Sequence, residues 1–207
     1  SSDVCSSDLY INPGFYLTLK IGEGLLKCKE KNEFPKVIFM ENHGLIVHSD
    51  NIEECITLHN EVNNCIKEYF GIKDDYPKIE IVKSNDGTFK SNTKYLRNFF
   101  KNRKIDKDFF DKYSLYPDQL VYLNDSVSLN GKVDNKLMIN NETGELVYNT
   151  KYNEALTIEE TLLGYIYVID SIEKSGLQVK SMSKKEIDYI RNWESEKYRK
   201  NVVSLER

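Results

Sequence analysis

Val37-Ile38-Phe39-Met40-Glu41-Asn42-His43-Gly44-Leu45-Ile46-Val47 decides how this chain is read. Its two short apolar runs, rich in β-branched and aromatic residues, have the length and character of buried strands. The polar corner between them carries a histidine followed by a glycine. Such a corner holds an imidazole on a rigid frame, and Gly44, lacking a Cβ, lets other groups approach it closely. Directly after the second run, Ser49-Asp50-Asn51 with Glu53 and Glu54 supplies an N-cap and its capping partners. The helix that follows places Ile52, Cys55, Ile56, His59, Val62, Ile66 and Phe70 on one apolar stripe and stops at Gly71.

Upstream, Tyr10-Ile11-Asn12-Pro13-Gly14-Phe15 is a turn signal, and Leu17, Ile21, Leu25 and Leu26 then recur at the spacing of one helix face. Phe34-Pro35 interrupts that helix before the first strand. Downstream, residues 74–107 are rich in Lys, Asn, Asp and Ser, which predicts a domain boundary or long connection, with a short basic and aromatic helix within 94–110. Beyond it, residues 119–123 read as a strand. Leu137-Met138-Ile139 and Leu146-Val147-Tyr148 read as a hairpin about Asn140-Asn141-Glu142-Thr143-Gly144. Thr157-Ile158-Glu159-Glu160 reads as a capping box opening a helix that holds Leu162, Leu163, Ile166, Ile169 and Ile172 and ends at Gly176. Residues 177–182 read as one more strand, and Ser183 with Glu186 caps a last helix running to about Val203. No internal repeat is visible. The expected organisation is therefore one domain over residues 10–75, a connection over 76–110, and a smaller α+β region over 111–207.

Composition narrows the function classes. Hydrophobic residues at 40% and charged residues at 30% are a globular balance. Twenty-nine basic against thirty-three acidic residues give a net charge of -4, so the chain as a whole offers no attraction to nucleic acid or anionic lipid. The basic, aromatic residues 94–107 read accordingly as a solvated connecting helix rather than a nucleic-acid site. No apolar run approaches the roughly 18 residues of a membrane span, and the mean hydropathy is -0.56. Four cysteines without metal-site or disulfide-scaffold spacing fit a soluble protein of a reducing cytoplasm.

Residues 1–9, Ser-Ser-Asp-Val-Cys-Ser-Ser-Asp-Leu, have neither the basic start nor the apolar stretch of a secretory signal. Reverse-translated, they match without a gap the constant end of a common short-read sequencing adapter. On that reading they are an artefact, Cys5 leaves the cysteine count, and the genuine sequence begins near Tyr10 in mid-gene. A native polar N-terminus is the alternative.

Among candidate site residues, pattern leaves His43 open between a metal ligand and a hydrogen-bonded structural histidine at a strand end. His48, just past the second strand, and His59, on the apolar stripe, read as structural. Cys55 and Cys65 read as small buried hydrophobes. Trp193, among Asn192, Glu194 and Glu196, reads as the anchor of the last helix. Fourteen tyrosines leave any proton donor unassigned, and no catalytic residue is named.

The strand, Asn42-His43-Gly44, strand unit with its capped helix Ile52-Glu53-Glu54-Cys55-Ile56-Thr57-Leu58-His59-Asn60-Glu61-Val62 resembles the third metal-ligand segment of the class II aldolase/adducin family. Tyr10-Ile11-Asn12-Pro13-Gly14-Phe15 is similar to the Pro-Gly element before the penultimate helix of that domain. These matches cover about residues 10–72. Tyr116-Pro117-Asp118-Gln119-Leu120-Val121-Tyr122 and residues 192–199 resemble the extension of longer bacterial members, including those of sugar utilisation.

The resemblance implies an α/β fold: part of a layered α/β/α domain with a mainly antiparallel sheet, followed by a smaller α+β region. It implies that His43 is one of three imidazoles on a divalent metal, usually zinc. The family's other two ligands lie in an upstream His-x-His and its acid/base in an upstream Glu, beside loops that hold the substrate phosphate. None of these occurs here. The implied parent activity is retro-aldol cleavage of a sugar phosphate or related sugar, in which the metal stabilises an enediolate. With one ligand of three, this chain is expected to be inactive and, with part of its sheet missing, aggregation-prone. A sugar-phosphate 4-epimerase and an adducin-like interaction module are the alternatives. The family's tetramers imply a homo-oligomer.

Overall fold

The computed structural model describes residues 10–131 and 135–193, and the backbone of 4–7. The expected end of the last helix near Val203, with Glu194 and Glu196, lies outside the described residues. The chain divides into two compact units, Ser1–Lys73 and Asp74–Arg207, each a mixture of helices and a mixed sheet.

In unit 1, β1 (Val4–Ser7) pairs parallel with β2 (Val37–Met40), and β2 pairs antiparallel with β3 (Gly44–Val47). Helix α1 (Phe15–Glu30) follows the Pro13-Gly14 turn, where Gly14 takes φ 98, a conformation that suits glycine. Helix α2 (Ile52–Tyr69) starts at Asn51, whose side chain accepts the backbone N–H of Glu54. Both strands of the opening stretch and both helices are thus where hydrophobic periodicity and caps put them.

The stripe expected on α2 needs correction. Cys55, Leu58, Val62 and Ile66 are half-buried, whereas Ile52 is 80% and Ile56 58% exposed, and His59 is exposed with them. Phe15, Tyr16, Leu19 and Leu26 of α1 are likewise exposed. Among the described apolar side chains of the strands in unit 1, Val37 and Ile38 are fully buried. A helix of this length has room for two apolar faces, and the sheet covers one.

Unit 2 is built on a five-stranded sheet, order β4-β5-β8-β7-β6, formed by β4 (Ile81–Lys83), β5 (Phe89–Ser91), β6 (Val127–Leu129), β7 (Leu137–Ile139) and β8 (Leu146–Tyr148). The β6–β7 pair is parallel and the others antiparallel. Helix α3 (Lys94–Asn102), the short α4 (Phe109–Lys112) and α5 (Pro117–Tyr122) lie in sequence between β5 and β6, and α6 (Tyr152–Lys174) and α7 (Lys184–Asn192) close the chain. Helix α6 is the centre of the core. Its Ile158, Leu162, Leu163, Tyr165, Ile166 and Ile169 are enclosed, and Leu96, Phe100, Leu137, Ile139 and Leu146 belong to the same cluster.

Several expectations change here. Residues 76–110, expected as a connection, carry β4, β5 and α3 and place Leu96 and Phe100 in the core. Residues 119–123 are mostly helical because Pro117 opens α5 at its first turn and Gln119 turns inward, its Oε1 accepting the N–H of Leu115 at 2.7 Å. Helix α6 begins at Tyr152, five residues before the expected capping box, and the Thr157 hydroxyl instead donates back to the Asn153 carbonyl. Residues 177–182 form no strand; the Met182 N–H is taken by the Ser114 carbonyl. The Ser183–Glu186 capping box at α7 is present, with both bonds made. No helix among the described residues is long and apolar enough to cross a membrane.

The two units contain the same substructure, which the sequence did not disclose. In each, a parallel strand flanks the first strand of an antiparallel hairpin, in unit 1 from within residues 1–9, for which an adapter origin is expected, and a long helix follows the hairpin. The lysine before the hairpin and a glutamate in the helix's first turn are eighteen residues apart in both, Lys36–Glu54 and Lys136–Glu154, and form an ion pair in both. A hydroxyl two residues after the hairpin, Ser49 or Thr150, donates to the same glutamate. The lysine carbonyl accepts the N–H of the residue after the second strand, His48 or Asn149, at 3.1 and 2.9 Å.

Candidate functional site

The corner residues of β2 and β3 build the site around His43. Glu41, Asn42 and His43 are the loop between the paired Met40 and Gly44. The chain reverses because Asn42 takes φ 50 and Gly44 takes φ 123, while the His43 N–H is held by the Met40 carbonyl at 3.2 Å. Asn tolerates the left-handed region and Gly suits φ 123, so the identities on either side of His43 are backbone requirements of the hairpin. The turn thereby fixes the backbone of His43 at the hairpin tip, where the residue is half-buried.

The other histidines have different surroundings. A ring nitrogen of His48 lies 2.8 Å from the Pro35 carbonyl, and the Phe34 ring meets it edge-on at 5.4 Å. His48 thus ties the segment before β2 to the end of β3, as a structural histidine does. His59 is exposed on α2, beside the Asn63 amide. Neither comes together with His43 in a metal-binding group: among the described residues no three His, Cys, Asp or Glu side chains could hold a metal ion. Cys28 and Cys55 are half-buried free thiols, and Cys65, expected to be buried, is exposed because its turn of α2 faces away from the sheet. Trp193 is half-buried, its ring 6.1 Å from that of Tyr189 on α7.

Unit 2 carries two polar arrangements that pattern reading passed over. The first is Glu159, wholly buried on α6, which accepts hydroxyl protons from Ser91 at 2.6 Å, from Thr93 and from Tyr148. Burial raises the Glu159 carboxyl above its ordinary range, the three hydroxyls partly opposing that rise. It also pushes the Tyr148 phenol well up. A glutamate on the inward stripe of an apolar helix was the available signal, masked by its assignment to a capping box.

The second is a cleft of about 320 Å³ whose lining includes Lys107, Asp111, Asn124, Asp125, Ser128 and Arg191. Arg191 lies 2.9 Å from Asp111 and 3.9 Å from Asp125, so its acids and bases balance and leave no excess charge to draw a phosphate. Within the basic stretch 94–107, Arg103 is likewise paired. Arg103 forks onto both carboxylate oxygens of Glu173 and lies over the rings of Phe99 and Phe109.

No protein-family model matches the chain, and neither a characterised protein nor a solved structure matches it.

Proposed function

We propose that this chain is part of a metal-dependent class II aldolase of the aldolase/adducin family, acting on a sugar phosphate or related sugar, with His43 as one of three imidazole ligands. The observation that carries the reading is the hairpin tip, where Asn42 and Gly44 hold a half-buried imidazole on two short strands. A ligand fixed by backbone geometry loses little entropy on metal binding.

The described residues do not make the metal site by themselves, since no further pair of His, Cys, Asp or Glu joins His43. The remaining ligands and the acid/base group belong, on this reading, to polypeptide outside the described residues. The parent enzyme takes zinc as its metal and works as a homo-oligomer in the cytoplasm.

The experiment is zinc titration and aldol-cleavage assay of ketose phosphates, run on this chain and on the product of the complete gene. The parent is expected to bind zinc tightly and cleave, and His43→Ala to lose both. This chain is expected to bind zinc weakly and to be inactive. Cleavage without a metal requirement, or a parent indifferent to His43→Ala, would sink the proposal. Epimerisation at C4 in place of cleavage would move the enzyme to the epimerase branch.

An adducin-like interaction module is the second reading. It is favoured by the extent of exposed apolar surface on α1 and α2, and a parent that binds no zinc yet captures a protein partner through those helices would support it.

A further inference from the structure

The cluster around Glu159 joins α6 to the hairpin β4–β5. Glu159 is wholly enclosed, and Ser91, Thr93 and Tyr148, whose hydroxyls it accepts, are buried with it. Two of those hydroxyls reach further. Thr93 Oγ1 also accepts the N–H of Glu80 at 2.9 Å, and Ser91 Oγ accepts the N–H of Thr93 at 3.2 Å. The Asn92 N–H closes the base of the hairpin on the Glu80 carbonyl at 2.7 Å. One carboxyl group thus gathers both ends of β4–β5 against the helix.

Among the described residues no Lys, Arg or His is paired with Glu159, and the titratable group that meets it is the Tyr148 phenol of β8. On β5, Lys90 is bonded to Glu145 at 2.7 Å; on α6, Glu154 is paired with Lys136 and Glu160 is exposed; Lys94, opening α3, is exposed as well. An enclosed carboxylate without a cation is costly even when hydrogen-bonded, and burial outweighs the three hydroxyls in raising this carboxyl. The neutral acid suits the same cluster, since hydroxyls accept as well as donate. The hairpin is the element able to yield. Strand β4 ends the sheet order, β4 and β5 have three residues each, and Val82 is 43% exposed. Beyond the Glu159 cluster, the hairpin is held by two register pairs with β8, the Lys90–Glu145 bond, the Phe89–Tyr152 ring contact at 5.5 Å and the partly buried Ile79.

We propose that Glu159 is a proton-controlled catch for the β4–β5 hairpin, which is held closed while the carboxyl carries its proton and opens more often once it ionises. In the open hairpin the carboxyl meets water and titrates in its ordinary range, and in the closed one it titrates higher. Opening is therefore favoured progressively as pH rises from the first range to the second, and no further above it. The catch lies within unit 2 and is independent of the metal reading.

The test is amide hydrogen exchange, followed by NMR, on the whole chain across that pH range, with the carboxyl-carbon signal of Glu159 read on the same samples. The Glu80 and Asn92 amides are expected to exchange faster than that of the core residue Ile166 and with little response to dilute urea, the mark of a local opening. Their protection, corrected for the intrinsic exchange rate, is expected to fall about ten-fold as pH rises and to level off where the carboxyl is fully ionised. In Glu159→Gln it is expected to stay flat. Where that variant fails to fold, the coincidence of the two wild-type titrations decides. Flat protection in wild type overturns the proposal, as does an equal fall in Glu159→Gln, a fall that ignores the carboxyl titration, or hairpin amides that share the rate and urea response of Ile166.

Discussion

Val62 and Leu162 occupy the same step of two helices launched from the same kind of hairpin, yet Leu162 is wholly enclosed and Val62 half-buried. The latch at the head of each helix differs in the same sense: the Glu54 side chain is 51% exposed and Glu154 8%. The substructure is common to both units, and what distinguishes them is the material on its outer side. Unit 2 adds β4, β5 and the helices around α6, which enclose a core; unit 1 has no counterpart among the described residues. The lesson is that local pattern specifies a hairpin and helix, whereas depth of burial comes from elements distant in sequence.

The largest effect should come from the cores. Leu162→Ala is expected to cost about 2–5 kcal/mol, and Val62→Ala under about 1.5 kcal/mol because its site is already partly open to water. Urea denaturation of both variants checks this. Equal losses would mean that unit 1 is as tightly packed as unit 2.

Glycine positions sharpen the contrast. Gly144 has φ 70, and a Cβ there would meet the Arg97 carbonyl oxygen at 2.2 Å; Gly44, at φ 123, has nothing within 4 Å. Gly144→Ala is expected to cost about 2–4 kcal/mol, strain plus collision, and Gly44→Ala about 1–2 kcal/mol, strain alone. Thermal melts of the two variants decide, and a reversed order would remove the collision argument.

Glu159 gives unit 2 a pH signature of its own. Its carboxyl is raised in the folded state, chiefly by burial, so the native protein binds its proton more tightly than the unfolded chain does. The stability this contributes is present below the unfolded pKa and is lost as pH rises through the folded one. Glu159→Gln keeps an acceptor for the Ser91 and Thr93 hydroxyls and turns an N–H toward the Tyr148 oxygen, without the charge, so its stability relative to wild type should increase as pH rises from acid to neutral. Melting temperatures of both proteins across that range test it, and parallel profiles would refute the raised carboxyl. Glu54 runs the other way: its hydrogen bond from Lys36, then that from Ser49, lower its pKa.

The smallest effect compares the latches. Lys136→Met leaves the enclosed Glu154 short of a partner and is expected to cost about 1–3 kcal/mol. Lys36→Met removes an exposed pair and should be near neutral.

Much of this architecture was legible in the residues. The 37–47 hairpin, both flanking helices, the 137–148 hairpin and the Ser183 cap follow from β-branched runs, apolar spacing and cap chemistry. What was missed depended on tertiary partners. Residues 119–123 carry the apolar look of a strand, but Pro117 and the inward Gln119 amide make a helix. The repeat was hidden because it rests on three polar positions and a strand order, while the apolar residues around them differ between the two units. The corner at His43 was legible as a turn because its neighbours are dictated by the backbone, whereas Glu159 reads as an ordinary helix-start acid until β5 is laid against it.

The turn at Asn42 and Gly44 has one more consequence. Because Asn42 and Gly44 carry the left-handed positions of the reversal, its backbone course does not depend on the chemistry of the side chain at position 43. The hairpin therefore behaves as an interchangeable mount: a thiol, carboxylate or phenol placed at 43 would leave the backbone from the same Cα in the same direction. A library confined to that one codon would vary the chemistry at this corner while keeping the turn that Asn42 and Gly44 encode.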